Sequence, residues 1–304
     1  MYEKLLVPLD GSALAEVALP YAEELAGRLG SEVRVVGVIE SSRAPYRHMQ
    51  EAYLDRMVED IKRGAKRYTD KAVEVKSVIL VGSPAEKIVD YAVKEGICLT
   101  VMTTHGQTGI KQWPLGSVAD KLVRALRCPV VIIRAGDVRP DIRKKGILNK
   151  ILLPLDGSKE SEAVVPFVEE LAAKFGAEVV LFQVVSPGYY NCTGEGACFM
   201  AYDQKQINAD KASAKTYLDK VAAQMKQKGV TAISEETKLR EVSISTEVTE
   251  GDTAQEIINF AKKIDADLVA MSTHGRSGII RATFGSVAER MLREGTTPLL
   301  LVKE

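Results

Sequence analysis

The sequence predicts an α/β protein made of two repeated, doubly wound domains, each with a five-stranded parallel sheet flanked by helices. Three observations support this prediction. Short apolar runs alternate with helical patterns in the order β-α-β-α-β-α-β-α-β, which is typical of a parallel sheet with right-handed crossovers. The run KLLVPLDGS at 4–12 returns as KILLPLDGS at 150–158. Near the end of each half, a Thr-His-Gly turn precedes a Gly-Ser pair, with nine residues between them.

The first strand and helix are predicted from a short apolar run and the turn after it. Residues 4–9 are typical of a buried parallel strand, and Ser12 can cap a helix over 13–29. Gly30 ends this helix. Pro20 lies inside the helical pattern, so we expect a kink there rather than a break.

The rest of the first domain continues the alternation of strands and helices. Ser83, Pro84 and Glu86 indicate a helix start, with Ser83 as the N-cap and Glu86 reaching back in a capping box. The remaining strands are predicted at 33–40, 73–81, 97–104 and 129–134, and the remaining helices at 50–70, 84–95 and 117–126.

The second half repeats these elements around a longer middle. Matching residues are 146 apart up to Gly176, which corresponds to Gly30. They are 169 apart from Gly251 onward, and Gly251 corresponds to Gly82. The difference between the two offsets places about 23 inserted residues between 185 and 250.

Two domains follow from this repeat, at 1–136 and 148–304, joined by a polar linker that contains Pro and Gly. A chain of 304 residues is long enough for each domain to bury its own core. Each domain ends in an apolar fifth strand that would leave unpaired backbone groups at a sheet edge. We therefore expect the domains to pair through their fifth strands as an intramolecular pseudo-dimer.

Composition excludes several classes of partner. Lys plus Arg and Asp plus Glu both number 41, so the chain offers no broad basic surface to nucleic acid or anionic lipid. The opening MYEKLLVPLDGS carries charges at residues 3 and 4 and an apolar run too short for a signal peptide or a membrane span. We therefore expect a cytoplasmic protein that binds neither nucleic acid nor membranes.

Four cysteines are scattered along the chain. Cys98 and Cys128 lie in or beside apolar strand patterns and are interpreted as small core residues. Cys192 and Cys198 share a Gly-rich loop, where a disulfide or half of a metal site is the alternative to free thiols. Because no His pair and no second Cys pair at zinc-finger spacing lie nearby, we predict no metal site.

The repeated Gly-Ser motif carries the strongest functional signal. Each pair stands where a helical pattern begins, so backbone N–H groups of the first helical turn face outward and favour an anion. The alternative is that each serine merely caps its helix. The motif residues are Gly106, Gly116 and Ser117 in the first domain and Gly275, Gly285 and Ser286 in the second.

On these residues the chain resembles a tandem member of the universal stress protein family, and the resemblance covers nearly the whole sequence. The family's nucleotide-binding signature is Gly, two residues, Gly, nine residues, then Gly-Ser or Gly-Thr. Thr103 and Ser272 stand where the first Gly is expected. A missing side chain often marks close approach of a ligand, so these side chains would either crowd a ribose or phosphate or hydrogen-bond it. The resemblance implies a Rossmann-like fold of the adenine nucleotide alpha hydrolase-like type.

The resemblance also implies a ligand, ATP with Mg²⁺, and a role for each site residue. Asp10 and Asp156 would contact the ribose, although they could instead brace the turn before the first helix of their domain. Val38 and Val184, near the ends of the second strands, would meet the adenine edge through their backbone. The phosphates would be held by backbone N–H groups of Gly106, Gly116, Ser117, Val118, Gly275, Gly285, Ser286 and Val287.

The second site is predicted to be the more regular one. Asp265 and Asp267 stand at the entrance of its fourth strand. Arg276 follows the motif glycine, where it either reaches a phosphate or stays solvated. His105 and His274 are interpreted as loop residues that bond to the backbone rather than as catalytic groups.

These inferences favour a cytoplasmic ATP-binding stress-response protein that acts as a sensor or regulator. The sequence contains no Walker lysine motif and no clear catalytic base with an electrophilic partner, so ATP hydrolysis is expected to be slow at most. Two alternatives stay open: a protein-interaction module of the same fold that binds no nucleotide, and an enzyme of the hydrolase-like class. A regulatory protein partner and a homodimer are also left open.

Overall fold

The computed structural model describes residues 1–40, 47–105, 115–134, 136, 142–186, 204–231, 242–275 and 284–303. Within these ranges, the strands and helices follow the predicted order in both halves. The first half and the linker contain β1 (Lys4–Pro8), α1 (Ala13–Glu16), α2 (Leu19–Leu29), β2 (Glu32–Ile39), α3 (Arg47–Ala65), β3 (Val75–Val81), α4 (Pro84–Lys94), β4 (Leu99–Thr103), α5 (Ser117–Ala125), β5 (Val130–Ile133) and α6 (Ile142–Lys145). The second half contains β6 (Lys150–Pro154), α7 (Lys159–Glu162), α8 (Val165–Phe175), β7 (Glu178–Val185), α9 (Gln204–Thr231), β8 (Ile244–Glu250), α10 (Thr253–Lys263), β9 (Leu268–Ser272), α11 (Ser286–Glu294) and β10 (Leu299–Val302).

The ten strands form one continuous sheet in the order β3-β2-β1-β4-β5-β10-β9-β6-β7-β8. All pairs inside each half are parallel. At the centre, β5 and β10 pair antiparallel, with Val131 opposite Leu300. This seam confirms the predicted pseudo-dimer, because each fifth strand finds the partner that its open edge requires.

Side chains on the two faces of the sheet form two apolar cores. In β7, Val179 and Leu181 belong to the core that packs against α8 and α9. Val180 and Phe182 belong to the opposite core, where the ring of Phe182 stacks on Phe260 of α10 at 4.4 Å between centroids. Both faces are covered, as a parallel sheet requires.

The chain breaks its helix before Pro20 instead of kinking it, so the predicted kink is wrong. Helix α1 ends at Glu16, and α2 begins at Leu19 with Pro20 in its first turn. A proline there loses nothing, because the first helical N–H groups have no intrahelical acceptor, whereas inside a helix its ring would clash with the carbonyl four residues earlier. Pro166 occupies the same position in α8. Gly30 ends α2 in the left-handed conformation, at φ 71°, as predicted.

Three other predictions from side-chain type have different outcomes. Ser12 caps α1, since its side chain accepts a hydrogen bond from the Ala15 N–H at 3.1 Å. Ser83 stands at the N-cap of α4, but its side chain makes no capping bond to the described residues. Cys98 and Cys128 are half-buried rather than core residues, and partial burial raises the pKa of the Cys128 thiol. Cys192 and Cys198 lie outside the described residues.

The helices α3 and α9 match one another at an offset of 164 residues. Leu54 and Leu218 are both fully buried, and Ile61 corresponds in the same way to the buried Met225. This offset divides the 23 extra residues into 18 before α9 reaches Leu218 and 5 after it. Among the described helices, α9 included, none combines the length and apolarity that crossing a membrane needs.

Buried carboxylates of α2 hold the linker against the first domain. Glu23 is 2% exposed and accepts hydrogen bonds from Arg143 Nη2 at 2.7 Å and Nε at 3.1 Å. Glu24 is 1% exposed and accepts one from the Ile147 N–H at 2.8 Å. These contacts join α2 to the segment that leads into β6, so the halves are tied at a second place besides the seam.

Candidate functional site

Two cavities lie at the carboxyl ends of the parallel strands, one in each half. The first cavity has a volume of about 700 Å³ and the second about 750 Å³. In an open parallel sheet, ligands bind at this edge, where strand order reverses and the following loops diverge. Here the chain leaves β1 and β4 toward opposite faces, and it leaves β6 and β9 in the same way.

Every predicted site residue that the structure describes lines one of the two cavities. Gly106 and Arg276 lie outside the described residues. The first cavity is lined in part by Asp10, Val38, Thr103, Gly116, Ser117 and Val118, and the second by Asp156, Val184, Ser272, Gly275, Gly285, Ser286 and Val287. The structure thus brings each set together, while the ligand roles of these residues stay predictions.

Asp10 and Asp156 brace the turn that follows the first strand of their domain. Asp10 Oδ1 accepts hydrogen bonds from the Ser12 N–H at 3.0 Å and from Ser12 Oγ at 2.6 Å. Asp156 Oδ1 accepts the same pair from Ser158, at 2.9 Å and 2.5 Å. The predicted bracing role is therefore present for one oxygen of each carboxylate.

The second oxygen of Asp156 explains one of the motif glycines. A Cβ added to Gly275 would clash with Asp156 Oδ2. Glycine at this position thus allows the carboxylate to lie against the motif loop. The group that approaches Gly275 closely is therefore a side chain of the protein.

Thr103 and Ser272, which replace the first glycine of the signature, brace the motif loops. The Thr103 hydroxyl donates to the His105 carbonyl at 2.8 Å, and the Ser272 hydroxyl donates to the His274 carbonyl. Thr103 is 8% exposed and Ser272 is 5% exposed. Their protons are used inside the loop, so toward a ligand these hydroxyls offer only acceptor lone pairs.

The Gly-Ser pairs begin helices, but glycine and not serine is the N-cap. Gly116 and Gly285 hold the N-cap positions of α5 and α11, so the alternative of a serine cap is wrong. The N–H groups of Gly116 and Gly285 donate to the carbonyls of Thr104 and Thr273, both at 2.8 Å. These bonds conflict with the prediction that the two glycine N–H groups hold phosphates.

The backbone N–H groups that can bind an anion begin one residue after each N-cap glycine. Neither helix has a side-chain cap among the described residues. The first intrahelical bonds run from Asp120 to Gly116 and from Glu289 to Gly285. The N–H groups without an intrahelical acceptor are those of Ser117, Val118 and Ala119 in the first cavity and Ser286, Val287 and Ala288 in the second. The two alanines were missed by the sequence analysis, although the N-cap rule would have included them.

The backbone of Val38 and Val184 faces the space beyond the end of the neighbouring strand. The last bond between β1 and β2 runs from the Leu9 N–H to the Val36 carbonyl at 2.8 Å. In a strand, backbone groups two residues apart point to the same side, so Val38 points past the end of β1. The bond from the Leu155 N–H to the Phe182 carbonyl, at 2.9 Å, places Val184 in the same way beside β6.

Each cavity also contains one histidine, held by the threonine before it. His105 Nδ1 lies 3.0 Å from Thr104 Oγ1, and His274 Nδ1 lies 3.1 Å from Thr273 Oγ1. These contacts favour the predicted loop role, although Nδ1 of each ring bonds to a threonine side chain and not to the backbone.

The helix wall of each cavity was missed by the sequence analysis. Met49 and Gln50 of α3 line the first cavity, and Asp210, Ser213, Ala214 and Tyr217 of α9 line the second. Tyr217 donates a hydrogen bond to Glu162 Oε1 at 2.9 Å. Burial, followed by this carboxylate, raises the pKa of Tyr217. The correspondence between α3 and α9 was missed because α9 lies inside the region of the insertion. Its offset of 164 differs from the offsets of 146 and 169 on either side.

The argument that the second site is more regular because of Asp265 and Asp267 is wrong. Asp267 Oδ2 accepts hydrogen bonds from the N–H groups of Asn149 and Lys150, at 2.7 Å and 2.9 Å. Asp265 lies in the turn before β9, at φ 52°. Both carboxylates therefore belong to the amino end of the strands, across the sheet from the cavity.

Comparison with known proteins identifies the family. The family model described as the universal stress protein family matches residues 1–134 and 148–303. A universal stress protein of Methanocaldococcus jannaschii is 32% identical over 165 residues, covering 53% of this chain and 85% of its own length. One from Mycobacterium tuberculosis is 23% identical over 317 residues, covering 99% of this chain and 97% of its own.

Solved structures show the same fold over the full length. The crystal structure of a universal stress protein from Archaeoglobus fulgidus superposes with a TM-score of 0.70 and 16% identity, covering 100% of this chain and 99% of that one. Its identity is low enough that it supports the fold alone. With both halves matched by the family model and one sheet joining them, the chain belongs to the universal stress protein family as a tandem of two such domains.

Proposed function

We propose that both cavities bind adenine nucleotide, with ATP as the ligand, and that this cytoplasmic protein acts as a nucleotide-dependent regulator of a stress response. One observation carries the proposal: each cavity combines a strand-end valine backbone, a turn-bracing aspartate and a helix N-terminus that has no side-chain cap among the described residues. These are the groups that a base, a ribose and a phosphate chain need, in that order along the sheet edge.

The energetics require all three parts of the cavity. A helix N-terminus contributes about 0.3–1 kcal/mol to anion binding, and up to about 2 kcal/mol when partly buried. Micromolar affinity needs about 8 kcal/mol. Several charge-assisted hydrogen bonds, at about 1.5–3 kcal/mol each, and burial of the base must supply the rest. Val36, Ile88 and Met102 give the first cavity the apolar lining that a buried base requires.

Regulation rather than rapid turnover fits the groups in the cavities. Within the described residues, one oxygen of each aspartate and Nδ1 of each histidine are already engaged by neighbouring serines and threonines. A general base must reach an attacking water, and these contacts already hold one atom of each candidate base inside the cavity loops. We propose that Mg²⁺ accompanies ATP through its phosphates, which are its usual ligands in nucleotide sites.

Titration calorimetry of nucleotide-stripped protein with MgATP tests the proposal. We expect two sites per chain in the native protein and one in each of Gly116→Val and Gly285→Val. A Cβ at either glycine would already lie 3.3 Å from a threonine carbonyl, so valine displaces the helix start. Gly136→Val is the matched control, because a Cβ there meets nothing within 4 Å.

The opposite outcome selects the alternative function. If the folded native protein binds no adenine nucleotide, the proposal is wrong, and the interaction module of the same fold takes its place. The hydroxyls of Thr103 and Ser272 favour that alternative, since they add side chains where the family signature has glycine. Turnover that saturates and is lost on replacing His105 or His274 would instead indicate an enzyme.

A further inference from the structure

Gln183 of β7 brings a buried amide to the second cavity. The residue is 7% exposed and lines the cavity beside Val184. Its Oε1 atom is buried and has no hydrogen-bond partner among the described residues. A buried polar atom without a partner is costly, so an amide kept in this place indicates that a partner arrives with the ligand.

The polar side chains of α7 and α9 that line the second cavity bond to other partners. Gln183 lies on the same face of β7 as Leu181, which packs toward α9. On that side, the Tyr217 hydroxyl donates to Glu162, and the Ser161 hydroxyl donates to the Ser158 carbonyl at 2.9 Å. The carboxamide is therefore not part of the hydrogen-bond network that braces the cavity wall.

The first cavity has an amide in the corresponding place, supplied from the opposite wall. At the offset of 146, Gln183 corresponds to Gly37 of β2. A Cβ added to Gly37 would lie 2.7 Å from Gln50 Nε2 and 3.0 Å from Leu54 Cδ1. The Gln50 amide thus lies against Gly37 and lines the first cavity.

The helix residue differs between the domains in the opposite sense to the strand residue. At the offset of 164, Gln50 corresponds to Ala214, which is buried and lines the second cavity. One domain therefore carries glycine on the strand with glutamine on the helix, and the other carries glutamine on the strand with alanine on the helix. Each domain therefore places one amide at this position, and in the first domain a side chain at Gly37 would clash with the Gln50 amide.

We propose that this carboxamide contacts the bound ligand and determines specificity, as Gln183 in the second cavity and Gln50 in the first. In the second cavity, Gln183 Oε1 accepts a hydrogen bond from an N–H or O–H donor of the nucleotide. The donor is either the exocyclic amine of the base or the 2′-hydroxyl of the ribose. This inference rests on the proposed nucleotide binding and adds the residue that selects among nucleotides.

The test uses the full chain with Gly116→Val, so that only the second site is measured. Gln183→Met and Gln183→Gly are titrated with MgATP, and each is expected to bind about five- to tenfold more weakly, the loss of one hydrogen bond. The double variant Gln183→Gly with Ala214→Gln moves the amide to the helix and is expected to restore affinity to within about twofold. The midpoint of thermal unfolding checks that each variant is folded, and the glycine variant serves if the methionine variant is not.

Two analogues distinguish the donors. Purine riboside triphosphate lacks the amine, and 2′-deoxyATP lacks a hydroxyl, so the analogue without the relevant donor should be insensitive to Gln183→Met. Unchanged ATP affinity in both single variants overturns the inference. An equal loss for ATP and both analogues that Ala214→Gln does not restore also overturns it, because it indicates a structural role. If the folded parent binds no ATP, the proposed function fails first and the inference fails with it.

Discussion

The two cavities share their backbone and differ in the wall made by the long helix. Both have a turn-bracing aspartate, a strand-end valine and a glycine-capped helix at the same places. The wall differs: Met49, which is 62% exposed, corresponds to Ser213, and Gln50 corresponds to Ala214. The backbone groups of each cavity are positioned by the fold itself, whereas the side chains of the helix wall differ between the domains.

A second difference between the halves concerns the start of α10 and its contact with α11. Asp252 caps α10 by accepting a hydrogen bond from the Gln255 N–H at 2.9 Å, and Arg290 of α11 binds the same carboxylate at 2.5 Å. In the first half, Ser83 makes no such cap with the described residues. The matching positions of the first half hold Ser83 and Lys121, which cannot form an ion pair, so this link between α10 and α11 is particular to the second half. The predictions below test which of these differences matter.

The largest expected effect tests whether the cores are as alike as the repeat indicates. Leu54→Ala and Leu218→Ala remove fully buried side chains at matching positions of α3 and α9. Each should lower the free energy of unfolding by about 2–5 kcal/mol, through lost burial and the cavity left behind. Urea unfolding measures both, with Val93→Ala as the control because Val93 is 67% exposed. Values that differ by more than about 2 kcal/mol would show that the two cores are not equivalent.

A smaller effect separates Tyr53 of α3 from Tyr217, which matches it in α9 at the offset of 164. Tyr217 donates to Glu162, whereas the buried hydroxyl of Tyr53 has no hydrogen-bond partner among the described residues. Tyr217→Phe should therefore cost about 1 kcal/mol of unfolding free energy, and Tyr53→Phe should be neutral or stabilising. Equal costs for the two changes would remove this difference between the domains.

The same pair predicts a shared dependence on alkaline pH. Burial first, and then the nearby Glu162 or Glu16, raises the pKa of Tyr217 and of Tyr53 in the folded protein. The unfolded chain releases these protons near pH 10, so the unfolding free energy should decline as pH rises above about 10. Replacing either tyrosine with Phe should make the decline shallower. A slope unchanged by both substitutions would contradict the raised pKa values.

The smallest expected effect concerns the ion pair between Arg290 and Asp252. Arg290→Ala breaks the contact with Asp252 and should lower the unfolding free energy only slightly, because exposed ion pairs contribute little. Lys121, at the matching position of α5, is the control, and Lys121→Ala should change nothing measurable. The functional readout is the dissociation rate of ATP, which should increase at the second site alone. An unchanged dissociation rate would show that this ion pair has no role in retaining ATP.

Strand order, the seam and the placement of the site were predictable because they depend on residue type and on the repeat. Apolar runs ending in DGS predicted the strands, and an unpaired fifth strand predicted its own partner. The break at Pro20 was missed because proline favours a first helical turn as strongly as it disfavours an interior. The bond from the Gly116 N–H to Thr104 was not predictable, since backbone pairing in a loop leaves no trace in side-chain type.

The helix wall was missed for a different reason. Gln50 and Gln183 look unrelated in the sequence, because one lies on a helix and the other on a strand. Their relation appears only when two offsets, 146 for the strands and 164 for α3 and α9, are applied together. The second offset depends on which face of α9 is buried, and that is settled by packing.

The antiparallel pairing of β5 and β10 sets the directions in which the two cavities open. Because β5 and β10 run in opposite senses, the carboxyl ends of the two parallel sets lie on opposite edges of the sheet. The two cavities therefore open away from each other, and a partner covering one mouth leaves the other accessible. One chain therefore presents two cavity mouths on opposite sides of the molecule, and each can be covered independently of the other.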